Sequence, residues 1–212
     1  MELINSKVQA YAEQFTSAED DLLKEINNWT VKNHPEQQML SGHLQGKMLE
    51  AVSWMIRPRR VLEIGTFTGY SALCLAKGLT EEGQLHTIEL REQDAVRAKA
   101  YFDRSSFSKQ IILHTGNALE IIPELRETWD LVFIDADKPA YIEYFKLVLP
   151  YVRQNGFILA DNIFFHGEVL EANPKGKSAK GIRAFNEFIS ERKDIEKVLL
   201  TLRDGLYLIR KL

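Results

Sequence analysis

Cysteine is nearly absent: Cys74 is the one thiol in 212 residues. That excludes an intramolecular disulfide framework and a zinc site built on several thiolates. Long apolar runs are missing too, none approaching the roughly 18 residues a membrane helix requires. The N-terminal stretch carries Glu2, Lys7, Glu13, Glu19, Asp20 and Asp21, so it has no apolar region of a signal peptide. Neither sign of charge dominates, since 27 basic and 30 acidic side chains leave a net charge of -3. Binding to nucleic acid favours a concentrated positive patch, and Arg57, Arg59 and Arg60 do not amount to one. Repeats and low-complexity linkers are lacking, and with 45% apolar residues disorder is disfavoured. The expectation is a cytoplasmic protein of one domain, residues 1–212, long enough for a substantial core.

What is present is alternation. Arg60–Ile64, Gln84–Glu89, Gln110–His114, Asp130–Asp135 and Phe157–Asp161 are short runs rich in Val, Ile, Leu and Phe, bounded by Gly, Asp or Asn, and read as strands. Between them lie helical patterns, with Tyr141, Tyr144, Phe145, Val148 and Val152 on one face and Ala95, Ala98 and Phe102 on another. Strands alternating with helices predict an α/β fold with a mostly parallel sheet covered on both sides. The first 57 residues read as helical, with Leu40, Leu44, Met48, Val52 and Met55 forming a stripe expected to pack on the core. After a helix over Gly181–Glu191, the runs Ile195–Leu202 and Leu206–Ile209 flank Arg203-Asp204-Gly205, a hairpin signal that closes the sheet with an antiparallel pair. Leu170–Lys180, with Pro174, Gly176 and three lysines, reads as a mobile loop.

The first strand runs into Glu63-Ile64-Gly65-Thr66-Phe67-Thr68-Gly69-Tyr70-Ser71, a glycine turn where an open α/β sheet places a nucleotide-like ligand. Phe67 and Tyr70 stand where a pyrophosphate-binding turn needs glycine, so NAD and the oxidoreductase reading are disfavoured. Glu63 would repel phosphate and attract a cation. Glu89, 24 residues after Gly65, is spaced to accept both hydroxyls of a ribose. Together they point to an adenosine ligand with positive charge, S-adenosylmethionine (SAM), although glycines alone could simply make a tight turn. Cys74 reads as a buried structural thiol.

At the carboxyl ends of the fourth and fifth strands stand Asp135, Asp161 and Asn162, two carboxylates and an amide oxygen. Hard oxygen donors suit magnesium or calcium. Singly, Asp135 could cap the next helix and Asp161-Asn162 could make a turn; their joint placement beside a cofactor turn favours metal binding. Lys138 stands at a helix N-terminus, which the macrodipole disfavours for a cation. A nearby metal would help depress its pKa and let the neutral amine take a proton, whereas an isolated surface lysine is the alternative. The histidines His34, His43, His86, His114 and His166 show no metal-ligand spacing.

From about Met39 to the C-terminus the chain resembles the cation-dependent O-methyltransferases, the group of catechol and caffeoyl-coenzyme A O-methyltransferases. The landmarks are Leu62–Ser71, Phe133-Ile134-Asp135-Ala136-Asp137-Lys138, Asp161-Asn162 and Gly205-Leu206. The resemblance implies the class I SAM-dependent methyltransferase sheet, Rossmann-like, with its last strand antiparallel and helices added at the N-terminus. It implies Asp135, Asp161 and Asn162 as ligands of Mg2+ (or Mn2+ or Ca2+) and Lys138 as general base. It further implies that Met39, Ser41, Glu63, Gly65, Thr66, Tyr70, Ser71, Glu89, Ala118 and Asp135 line the SAM site. The implied acceptor is a small catechol-like molecule and the implied assembly a homodimer built on the N-terminal helices. Where plant members carry a Trp after the Asp-Asn pair, this chain reads Ile163-Phe164-Phe165-His166-Gly167, with Phe165 as an aromatic face. Two alternatives stand beside this reading: methylation of a hydroxylated uridine in tRNA, and a SAM-binding module without catalysis.

Overall fold

A computed structural model describes residues 5–212; Glu2 lies outside them. The N-terminal segment forms α1 (Ser6–Gln14), α2 (Asp21–Asn33) and α3 (Gly42–Ile56). Asp20 starts α2 by accepting from Leu23 N at 2.9 Å, satisfying one of the free N–H groups of the first turn. α3 ends at Arg57 in a left-handed conformation, followed by Pro58, which cannot continue a helix. The buried face of α3 is Gln45, Gly46, Leu49, Val52 and Ser53. This corrects the expected stripe: Met48 is only partly covered and Met55 is 73% exposed. The small Gly46 is the reason, because the Tyr70 ring packs where a side chain would stand and so fixes the helix's rotation.

Then come β1 (Arg60–Ile64), α4 (Tyr70–Ala76), β2 (Gln84–Glu89), α5 (Glu92–Arg104), β3 (Ile111–Thr115), α6 (Ala118–Ile121) and β4 (Trp129–Ile134). They are followed by α7 (Tyr141–Val148), β5 (Val152–Asp161), α8 (Lys177–Glu191), β6 (Ile195–Leu200) and β7 (Leu206–Lys211). The sheet order is β3-β2-β1-β4-β5-β7-β6, parallel from β3 to β5 and antiparallel at β7 and β6. This is the expected α/β sheet with its closing hairpin. One face packs against α2 to α5 through residues such as Leu49, Leu75 and Phe102. The other packs against α6 to α8 through Phe145, Phe185 and Ile189.

Three boundaries differ from expectation by four residues or more, the others by two at most. β5 begins at Val152, which pairs with Trp129 before the register shifts, and Asn155 takes a positive φ of 59° next to Gly156. Val152 is therefore a strand residue, because Pro150 turns the chain out of the helix that carries Tyr141 to Val148. The expected loop Leu170–Lys180 is shorter, since α8 starts at Lys177 to bury Ala179 with Ile182 and Phe185.

The chain passes outward through β2 and β3 on one side of β1, then returns to β4 and β5 on the other. The carboxyl ends of β1 and β4 therefore flank the crevice where open sheets of this kind take ligands. Because β7 runs antiparallel to β5, with Asp161 opposite Leu206, the loop before β7 also arrives at that edge. No helix among the described residues is long and apolar enough to cross a membrane.

Candidate active site

A cavity of about 690 Å³ occupies this edge. Its wall contains Met39, Ser41, Gly65, Thr66, Tyr70, Ser71, Glu89, Ala118, Asp135, Lys138, Asp161 and Asn162, so all but one of the expected site residues meet there. The exception is Glu63, which lies behind the wall and is fully buried.

The glycine turn owes its shape to two backbone demands. Gly65 has φ of 102°, and a Cβ there would overlap the carbonyl of Asp135, so glycine lets the ends of β1 and β4 close together. Gly69 has φ of 86° and faces the Phe102 ring at the start of α4. The Glu89 carboxylate holds the turn from beneath, accepting from Phe67 N at 2.6 Å and from Arg91 N at 2.9 Å. One oxygen takes each bond, which leaves lone pairs on both for a ligand. The Tyr70 hydroxyl turns away and donates to Glu19, and burial raises its pKa. Glu63 accepts from Thr87 Oγ1, while its Oε1 is buried without a hydrogen-bond partner. Burial, reinforced by the charges of Asp135 and Glu89, pushes its pKa up to about 8. Burial therefore favours its neutral form over the negative charge expected from sequence.

Toward β5 the wall gathers oxygen donors. Asp161 is buried and its Oδ1 has no hydrogen-bond partner. Burial and the neighbouring Asp135 carboxylate push its pKa up to about 6. Asn162 takes a positive φ of 56°, and its amide nitrogen donates to Asp204 Oδ2 at 3.3 Å. That bond leaves the amide oxygen free to serve as a ligand. Lys138, in a short turn Lys138–Ala140 ahead of α7, donates from Nζ to Asp135 Oδ1 at 2.9 Å and to the Tyr141 hydroxyl at 2.8 Å. Burial alone would lower the Lys138 pKa, but the carboxylates of Asp135 and Asp161 outweigh it and the net shift is upward. A depressed Lys138 pKa thus requires that those carboxylates be neutralised by a cation.

Among the described residues no three His, Cys, Asp or Glu side chains form a metal-holding group. The donor set here is instead two carboxylates and an amide. It fits a hard divalent ion on two counts: every donor is oxygen, and Asp161 Oδ1 is buried, unpartnered and beside a like charge.

Three further residues join the site without a sequence motif that marks them. Tyr141 falls on the apolar face of its helical pattern, yet its hydroxyl meets Lys138; a Tyr three residues after a candidate base, at helical spacing, is the available signal. Asp204 and Arg203 carry only a hairpin signal, and nothing local reveals that β7 inserts beside β5.

A model of the O-methyltransferase family matches residues 13–212. The catechol O-methyltransferase of Niastella koreensis is 32% identical over 203 residues, covering 94% of this chain and 91% of that one. Among solved structures, the O-methyltransferase TomG of Streptomyces achromogenes, in complex with SAM, is 29% identical with a TM-score of 0.88, covering 97% of this chain and 96% of that one. The O-methyltransferase of Bacillus cereus, in complex with S-adenosylhomocysteine, is 29% identical with a TM-score of 0.89, covering 97% of each chain. With the glycine turn, Glu89 and the Asp135–Lys138 strand end joined in one cavity of a class I methyltransferase sheet, the chain belongs to the O-methyltransferase family.

Proposed function

We propose that the protein transfers the methyl group of SAM to a hydroxyl oxygen of a small acceptor bearing two adjacent oxygens, such as a catechol, with a divalent cation held by Asp135, Asp161 and Asn162. The observation that carries this reading is the unpartnered Asp161 oxygen beside Asp135 and Lys138 in the cavity that also contains Glu89. The SAM and S-adenosylhomocysteine complexes of the two solved relatives support the donor.

When bound, magnesium or another hard ion such as manganese or calcium would supply Lewis acidity, lowering the acceptor hydroxyl from the pKa of about 10 of an isolated phenol. The chain's own residues do the rest. Glu89 accepts the ribose hydroxyls, and the turn from Gly65 to Gly69 brings the backbone close to the donor. Ala118 flanks the adenine, and Met39 and Ser41 cover the methionine end. Lys138 Nζ takes the hydroxyl proton, and the walls hold oxygen and methyl carbon in line. The exposed Val8, Tyr11 and Phe15 of α1 offer an apolar surface to a second copy, and solution mass reads whether a homodimer forms.

The test is transfer of a labelled methyl group from SAM to catechol, run with magnesium and with excess chelator, beside undermodified tRNA. Label on catechol that disappears with chelator is expected. Absence of label on any small diol overturns the acceptor class, and full transfer under chelation overturns the metal.

A further inference from the structure

Three arginine or lysine side chains stand in the cavity wall: Arg91, Lys138 and Arg203. Arg91 pairs with Glu36 and Asp94, and Lys138 pairs with Asp135. Arg203 differs: among the described residues it makes no ion pair. Its Nη1 donates to the carbonyl of Ser41 at 2.5 Å and to Gln45 Oε1 at 3.0 Å, both uncharged acceptors. These bonds fix the guanidinium across from α3, its charge also acts on the Asp161 carboxylate, and among the described residues no hydrogen bond to another residue engages its Nε or Nη2.

Its position and backbone both matter. The Asp161 carboxylate feels the Arg203 charge, so the guanidinium lies toward the oxygen-donor end of the cavity. Glu89, on β2, is separated from that end by β1 and β4. Arg203 also has φ of 49°, in the region that favours glycine. Residues held in that region cluster at functional sites.

We propose that Arg203 binds a carboxylate carried by the methyl acceptor, so that the preferred substrate joins two adjacent hydroxyls to an acid group. The inference deepens the methyl-transfer reading above and rests on it. Arg presents paired N–H donors that match a carboxylate, and such charge-assisted bonds are the strong ones. The amino-acid end of SAM carries the same group, and the experiment separates the two sources.

The test compares kcat/KM for 3,4-dihydroxybenzoate and for 3,4-dihydroxybenzyl alcohol in the wild type, Arg203→Gly and Arg203→Lys. Glycine suits the backbone at this position, so the first variant keeps the fold. Wild type is expected to favour the acid, and Arg203→Gly to lower the acid-to-alcohol ratio about 10- to 100-fold, with Arg203→Lys between. A raised KM for SAM with an unchanged ratio would place the guanidinium on the donor and overturn the proposal. An equal loss on both acceptors would reduce Arg203 to an anchor for Ser41 and also overturn it. If the wild type methylates neither compound, the catechol-acceptor reading fails on its own. Calorimetric binding of 3,4-dihydroxybenzoate then decides the anion site, supporting it if Arg203→Gly weakens binding by a similar factor and overturning it if affinity is unchanged.

Discussion

The Tyr141 hydroxyl accepts from Lys138 Nζ at 2.8 Å and donates to the Asp161 carbonyl at 3.1 Å. It ties the candidate base, at the entrance to α7, to the end of β5. Tyr141 itself is fully buried behind the cavity and is a positioning residue. Tyr141→Phe removes the tether and keeps the ring's packing against Phe185. Turnover is expected to fall about 10-fold, a fraction of what general acid–base catalysis supplies, with little change in KM for SAM. The ascending, acid-side limb of the kcat–pH profile reports deprotonation of the Lys138 base and should move to lower pH, because the Tyr141 hydroxyl raises the Lys138 pKa; a purely structural loss would leave that limb in place.

Glu63 gives a stability prediction. Its pKa is raised from 4.5 to about 8, so the folded state holds the proton more tightly than the unfolded chain. Stability is therefore lost as pH rises from below 4.5 through about 8, and the loss is complete above that. Glu63→Gln keeps the neutral shape and escapes the penalty. The melting temperature of the variant relative to wild type should be unchanged near pH 4, higher at pH 7 and highest at pH 9. A constant difference across that range would contradict the burial argument.

Gly65→Ala tests the junction of β1 and β4. The added methyl would overlap the Asp135 carbonyl, and alanine is strained at φ of 102°. A loss of stability of about 3 kcal/mol or more is expected, in the range that backbone and overpacking effects reach. Denaturant unfolding measures it. A loss under about 1 kcal/mol, or a gain such as an unstrained Gly-to-Ala change brings, would mean that the strand ends are free to separate.

Much of this was legible in the sequence because β1 to β5 are bounded by residues that punctuate locally, and the candidate site residues fall on strand ends. Asp135, Asp161 and Asn162 could be placed together once parallel strands put their carboxyl ends on one edge. Glu63 misled because spacing shows where an acid lies along a strand but not whether solvent reaches it. Met48 and Met55 misled because helix rotation follows the close approach of Gly46 to Tyr70, a contact between elements far apart in the chain. Arg203 was invisible as a site residue for a similar reason: the insertion of β7 beside β5, not the hairpin motif, brings it to the cavity.

The most direct measurement is a calorimetric titration of the dialysed protein with manganese, paired with methyl transfer at each point. One ion per chain is expected, with transfer rising in step with occupancy, and both signals lost in Asp161→Asn while SAM still binds. Undiminished methyl transfer by the chelated wild type, or an unaltered manganese isotherm in Asp161→Asn, would contradict the assignment of Asp135, Asp161 and Asn162 as the ligands.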